Sequence, residues 1–350
     1  MLKLDQNELP WDWPRKFKEQ VTQKVFSTPW NRYPSEELTF LESALAQKLN
    51  VPITHLLLTP ATIGFIEFFY NHYIQNQYLQ PSPTYFRYAR LAESLGKTPL
   101  YYPLDVNGSY DLSALTKLRS VHTELPCIIC SPNNPTGSFL DNEDIASVAS
   151  IASSPILLDS TYIWFADKFS VSDFRQLLPQ TNIFQIFSFS KAFSAAAVRI
   201  GFALIPPEVK RRYQETQNPF KLNAFSRAFL EVLLVEEWWS YAISRINKTK
   251  EARQALYLTL SKIQGIDVLF SQANFLMIKT IVPANEIVER FSSQNVIIKQ
   301  LGAHSLRITV CESTDCSRIY HLFSQLQGTM GGDNKTSKQE DITLKKCPIA

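Results

Sequence analysis

Short apolar runs alternate with longer periodic segments from the start of the chain to about residue 210, and this alternation restricts the fold more than any other feature. "PSEELTFLESALAQKLN" places Leu38, Leu41, Leu45 and Leu49 at helical spacing, with Ser35 as the expected N-cap and acids in the first turn. "HLLLT" reads as a strand and "TIGFIEFFYNHYIQNQY" as a mostly buried helix. The strand candidates "CIIC", "PILLD", "IFQIFSF" and "IGFALIP" follow, with a helix "NEDIASVASIA", capped by Asp141, between the first two. Strands that are apolar throughout, separated by helices, predict an α/β fold with a mostly parallel sheet covered on both faces.

The texture changes near residue 207. A helical region is expected over roughly 208–262, interrupted at Pro219, followed by strand-like "ANFLMIKT" and "SLRITV" with helix-like "ANEIVERFSSQ" between them. That order suits a smaller C-terminal α+β domain. The expected organisation is an N-terminal arm over 1–32, a large domain over 33–207, the long helix and small domain over 208–327, and a disordered polar tail over 328–350. A net charge of +3 across 350 residues points to no nucleic-acid and no membrane partner. Acids and prolines interrupt "MLKLDQNELPWDWP" before any signal-peptide core, and no run of about 18 apolar residues exists, so a cytoplasmic protein is expected. The five cysteines form no disulfide framework. Cys127 and Cys130 make a C-x-x-C inside a buried strand, and no second Cys/His cluster accompanies them, so no metal site is expected.

Chemistry concentrates in a few stretches. "FSFSKAFSAAAVRIGFALIP", residues 187–206, carries only two charges, Lys191 and Arg199. Both side chains could snorkel to water; alternatively Lys191 is kept in apolar surroundings because a desolvated amine suits Schiff-base chemistry. "SPNNPTGSFLDNEDI" sets Asn133 and Asn134 in a tight turn at the carboxyl end of a strand, where open α/β sheets bind ligands. A capped turn without a ligand fits that segment equally well. "PILLDSTYIWF" ends a strand in Asp159, with Tyr162 three residues on; the acid could serve as a turn cap. In "LLLTPATIGFIEFF" the amides of Ala61 and Thr62 open a helix and would suit a phosphate, although most strand–helix turns bind nothing. Tyr85 in "PSPTYFRYARL" precedes a helix as a packing residue or a stacking platform.

Taken in order, these stretches resemble the fold-type-I family of pyridoxal-phosphate enzymes, most closely its histidinol-phosphate-aminotransferase-like branch. The resemblance spans residues 2–327 and rests on "KLDQNELP", "NRYPSEELTFLESALAQ", "SPNNPTG", "SFSKAFSAAAVRIGFA" and "ANFLMIKT…LRITV". It implies a seven-stranded-type sheet and pyridoxal 5'-phosphate as cofactor, carried covalently by Lys191, which also shuttles the substrate α-proton. It implies that Asp159 pairs with the pyridine nitrogen, that Asn134 and Tyr162 bond the ring oxygen, and that Tyr85 stacks on the ring. Ala61, Thr62, Ser188 and Arg199 would take the phosphate. Arg307, Asn134 and Asn7 would contact substrate, and Tyr33 would reach the partner subunit's cofactor in a homodimer. The implied reaction is ping-pong amino transfer between an amino acid or amino alcohol phosphate and a 2-oxo acid; the alternative is a lyase similar to the threonine-phosphate decarboxylases. The chain departs from the family pattern at Ser160-Thr161 beside Asp159, at Pro60 and Ala197-Val198 where glycine-containing motifs are usual, and at Cys311 in place of glycine. Those departures suggest a divergent member serving a specialised biosynthetic pathway.

Overall fold

The apolar runs become strands whose every residue is shielded, because helices cover both faces of the sheet they form. The computed structural model describes residues 1–33, 38–216 and 222–325. After a two-residue strand β1 (Leu2–Lys3), the strands β2 (Leu56–Thr59), β3 (Gln77–Ser82), β4 (Thr98–Pro103), β5 (Cys127–Cys130), β6 (Ile156–Asp159), β7 (Ile183–Ser188) and β8 (Gly201–Leu204) follow. β2 to β8 make a seven-stranded sheet in the order β2-β8-β7-β6-β5-β3-β4. β8 runs antiparallel to both of its neighbours, and every other pair is parallel. The α/β class and the mostly parallel sheet are as expected.

Two strands of this sheet differ from the expectation. The helix expected to reach Tyr78 ends at Tyr73, and Gln77–Ser82 pairs as β3. Polar and proline residues hide both β3 and β4 in the sequence. The Tyr78 hydroxyl donates to Gln80 Oε1 at 2.7 Å, so the glutamine is tolerated in the core, and the β3–β5 ladder is confined to Leu79 opposite Cys127, away from Pro81. β4, with Pro99 and Pro103, is an edge strand, where a missing N–H costs least. Asp141 caps the helix Asn142–Ser150 as expected, its carboxylate accepting from the Asp144 amide at 3.0 Å. Ser35, Pro219 and the residues from 326 onward lie outside the described residues, as does most of the expected break between the helices Pro207–Thr216 and Ala224–Leu233.

The 25-residue helix Glu236–Leu260 leads into the C-terminal unit. There β9 (Ile266–Val268), β10 (Phe275–Thr280), β11 (Val296–Ile297), β12 (Lys299–Gly302) and β13 (Ser305–Thr309) follow, four of them forming an antiparallel sheet in the order β12-β13-β10-β9. Sequence periodicity marks only β10 and β13, since the other strands are short and partly exposed. Leu276, Ile278, Leu306 and Ile308 of this sheet share a core with Ile287 and Phe291 of helix Ala284–Ser293 and with Ile319 and Phe323 of helix Ser313–Ser324. The chain's first residues belong here too. β1 pairs in parallel with β11, and Leu4 is buried in the C-terminal core. Leu9, Trp11, Trp13 and Phe17 then enter the large core beside Phe229 and Trp238. The N-terminal segment is therefore fastened at both ends, and its middle, Asp5–Glu8, is held over the carboxyl edge of the large sheet.

Candidate active site

Register brings the candidate residues to one edge of the sheet. Thr59, at the end of β2, lies opposite Gly201, which in turn lies opposite Ser188 at the end of β7. Asp159, at the end of β6, sits between Cys130 of β5 and Ile186 of β7. The loops leaving these ends carry Ala61, Asn134, Tyr162, Lys191 and, entering β8, Arg199. Gly201 is required where it stands: a Cβ there would come 2.6 Å from the Phe187 carbonyl oxygen and 3.1 Å from the Ala61 carbonyl carbon.

The helix Ile63–Tyr73 begins beside this crossing, and the amides of Ala61 and Thr62 donate to no acceptor among the described residues. Ser188 Oγ accepts from the Ser190 amide at 3.1 Å, and Arg199 is exposed, its Nη1 donating to the Ala196 carbonyl at 3.0 Å. Free amides at a helix N-terminus, a hydroxyl and a guanidinium are the donor types that can hold an anion. Pro60, which replaces the usual glycine, is accommodated because Gly64 lacks a side chain; a Cβ there would meet the Pro60 ring at 2.9 Å.

Lys191 sits in the short helix Phe189–Ala192, directly after β7, and its Nζ donates to the Gln6 carbonyl at 2.7 Å. Burial, then repulsion from Arg307 and Arg199, opposed by Glu8, brings its pKa down from 10.5 to about 8. Asp159 is 3% exposed and forms no ion pair among the described residues. Burial pushes its pKa up, against hydrogen bonds from Thr161 and Tyr88 that pull it down. The Thr161 amide donates to Oδ1 at 2.9 Å and the Tyr88 hydroxyl donates to Oδ2. The sequence did not single out Tyr88, whose only local signal is its place three residues after Tyr85 on the same side of a helix start. Tyr85 is half-buried and packs edge-on against Tyr88, ring centroids 5.5 Å apart.

Arg307 projects from β13 and is 9% exposed. Its Nη1 donates to Asn134 Oδ1 at 2.7 Å and its Nη2 to the Asp5 carbonyl at 2.5 Å, while Nε has no partner. Tyr162 accepts from Asn7 Nδ2 at 2.9 Å. Asn7 is itself fixed by its amide, which donates to Thr309 Oγ1 at 3.0 Å, and by its carbonyl, which accepts from Asn274 at 3.1 Å. Thr309, Asn274 and the Asp5 and Gln6 carbonyls complete the site beyond what motifs indicated. Tyr33 stands apart in kind, 81% exposed at the surface.

The sequence model for "Aminotransferase class I and II" matches residues 1–321. The chain belongs to that family. Its members depend on pyridoxal phosphate. A histidinol-phosphate aminotransferase of Pelodictyon phaeoclathratiforme is 28% identical over 316 residues, covering 87% of this chain and 85% of the relative. The solved histidinol-phosphate aminotransferase of Sinorhizobium meliloti, in complex with pyridoxal-5'-phosphate, superposes with a TM-score of 0.84 at 18% identity, over 94% of this chain and 91% of that one. An L-threonine-O-3-phosphate decarboxylase of Porphyromonas gingivalis shares the fold at a TM-score of 0.77 and 17% identity, over 94% and 100% of the two chains. The donor set of this aminotransferase-family chain fits the cofactor: a half-buried amine of lowered proton affinity for an aldehyde, a buried acid lacking a cation for a pyridinium, and free helix amides with Arg199 for a phosphate dianion.

Proposed function

We propose that this chain moves an amino group between an amino acid or amino alcohol phosphate and a 2-oxo acid, one substrate leaving before the next binds. Lys191 carries the reading: an amine at the carboxyl edge of the sheet whose pKa burial lowers to about 8. In this reading Ala61, Thr62, Ser188 and Arg199 hold the cofactor phosphate, Asp159 faces the pyridine nitrogen, Tyr85 stacks on the ring, and Tyr162 and the amide nitrogen of Asn134 face the ring oxygen. Pyridoxal phosphate held there would supply an aldehyde for the substrate amine and an electron sink for the α-carbon. Asp159 keeps the ring nitrogen protonated by offering its carboxylate in a water-poor site. Lys191 Nζ, once neutral, takes the α-proton and returns it, and its lowered proton affinity makes the neutral form accessible. Arg307 grips the substrate carboxylate or phosphate by exchanging the Asp5 carbonyl and Asn134 for a charged acceptor. Asn7, locked between Thr309 and Tyr162, lines the substrate side.

The same reading takes the protein as a homodimer, with Tyr33 directed at the partner's cofactor phosphate. The surface aromatics Phe26, Trp30 and Phe40, each at least 75% exposed in the single chain, supply apolar area for that contact. The test is a half-reaction. Purified protein mixed with an amino donor and no acceptor should release one equivalent of 2-oxo product per site and stop, and a 2-oxo acid should restart it. Continuous carbon dioxide release without an acceptor would instead establish a decarboxylase, the chemistry named for the Porphyromonas gingivalis neighbour.

A further inference from the structure

Two cysteine pairs stand close in the sequence, and the structure separates their fates. Cys127 and Cys130 form the more conspicuous motif, yet they lie in a strand and point to opposite faces: Cys127 joins the core with Leu115 and Val148, Cys130 the core with Tyr88 and Phe184. Both are buried, burial pushes the Cys127 thiol up to about 12, and the Cys130 thiol is also raised. The sheet keeps their sulfurs apart.

Cys311 and Cys316 are different. Cys311 follows β13 and is 2% exposed, where the family pattern has a glycine. Cys316 lies in the first turns of the helix Ser313–Ser324 and is half-buried. Their sulfurs are 3.6 Å apart, and Cys316 Sγ also donates to the Glu312 carbonyl at 3.5 Å. We propose that Cys311 and Cys316 form a reversible dithiol–disulfide pair, oxidised by hydrogen peroxide, in which Cys316 is the sulfur oxidised first and Cys311 resolves it. The geometry favours the second step, since sulfurs 3.6 Å apart are in contact and stand about 1.5 Å beyond a bonded pair. Cys316 is the reachable sulfur, half-buried where Cys311 is fully buried, and the neighbouring Cys311 thiol holds its proton affinity below the usual range. A thiolate near a helix N-terminus is further favoured by the helix dipole.

The chemistry balances. Cys316 sulfur attacks peroxide: an S–O bond forms, the O–O bond breaks, and hydroxide takes the proton the thiol gave up, leaving as water. Cys311 sulfur then attacks Cys316: the S–S bond forms, the S–O bond breaks, and hydroxide leaves with the Cys311 proton as a second water. The two thiols together lose two electrons, and peroxide gains them. The bond staples the first turns of the C-terminal helix to the end of the strand that carries Arg307, four positions upstream of Cys311.

Trypsin cleavage after Arg307 and Arg318 leaves both cysteines in one peptide, Ile308–Arg318. Peroxide treatment of the folded full chain, followed by unfolding, alkylation and mass spectrometry, should return that peptide two hydrogens lighter and unalkylated, reverting with dithiothreitol. Cys127 and Cys130 should remain alkylatable. Cys311→Ser, and Cys311→Ala in case the buried serine disturbs folding, should leave Cys316 as a sulfenic acid captured by dimedone. Cys316→Ser should leave Cys311 reduced at the same peroxide dose. A wild-type peptide with dimedone on Cys316 and alkylated Cys311, a link from either residue to Cys347, or full alkylation after peroxide would each overturn the proposal.

Discussion

Lys191→Met in the cofactor-stripped protein should change stability with opposite signs at the two ends of the pH scale. Lys191 has a pKa of about 8 in the folded chain against 10.5 when free. At 1.36 kcal/mol per pH unit, the charged amine is therefore about 3 kcal/mol less favourable folded than unfolded. Above pH 10.5 the amine is neutral in both states and this penalty vanishes. As pH falls from 10.5 to 8 the unfolded chain takes up the proton and the folded chain does not, so the wild type loses stability over that window. Below 8 both states are protonated and the loss is complete. Methionine fills a similar stem volume without the charge, but leaves the Gln6 carbonyl without its 2.7 Å donor, at about 1 kcal/mol. The variant should then be about 2 kcal/mol more stable than wild type at pH 7 and about 1 kcal/mol less stable at pH 11. Urea denaturation of both proteins across pH 6.5–11 reads the difference directly. A difference that stays constant with pH, or a variant less stable than wild type at pH 7, would refute the account of a desolvated amine.

Three further substitutions separate the roles of the site residues. Asp159→Asn should leave the fold intact and slow single-turnover amino transfer by orders of magnitude, because a neutral amide does not hold a pyridinium proton; near-normal single-turnover rates would remove Asp159 from the ring. Tyr88→Phe deletes a hydrogen bond that holds the Asp159 proton affinity down. The acid limb of its kcat/KM profile should therefore move to higher pH, and an unmoved limb would show that Tyr88 only packs. Arg199→Ala should weaken pyridoxal-phosphate binding roughly ten- to a hundred-fold, the loss of one charge-assisted bond of about 1.5–3 kcal/mol, measured by cofactor titration.

Much of the site was legible because each part is local. A strand end, a tight turn and a helix start each announce themselves within a few residues, so Asp159, Asn134 and Ala61–Thr62 could be placed at the carboxyl edge of the sheet before any register was known. What escaped depends on distant partners. Tyr88 becomes a site residue only through Asp159, 71 positions away, and nothing in "PSPTYFRYARL" distinguishes it from packing. The start of the chain reads as an arm because its two-residue strand finds its partner at Val296–Ile297. β3 and β4 went unseen because Gln80 and three prolines contradict strand chemistry, which an edge position and a short ladder make tolerable. Cysteine spacing alone does not report proximity: C-x-x-C in a strand, read from the sequence as a buried pair without a metal, divides its sulfurs between two cores, whereas the wider spacing of Cys311 and Cys316, across a helix start, brings them together.

Backbone strain marks the same edge of the sheet. Among the described residues, positive φ occurs at six non-glycine positions, three of which are Asn7 (54°), Ala61 (56°) and Arg199 (60°). Asparagine tolerates this region; alanine and arginine do so at a cost of roughly 1–3 kcal/mol each. The surroundings enforce it. Thr59 Oγ1 donates to the Ala61 carbonyl at 2.7 Å, and β8 passes so close that only Gly201 fits against it. A left-handed residue at 61 turns the chain sharply between β2 and the helix, leaving the Ala61 and Thr62 amides without internal acceptors. The left-handed residue at 199 similarly bends the chain into β8 and presents the guanidinium at the surface. Two strained residues, one packed against Gly201 and one two positions before it, make sense if an anion repays them: its charge would be shared by the free amides and Arg199. Relaxing either residue to a common conformation would redirect those donors, so the proposed phosphate site depends on the strain being kept.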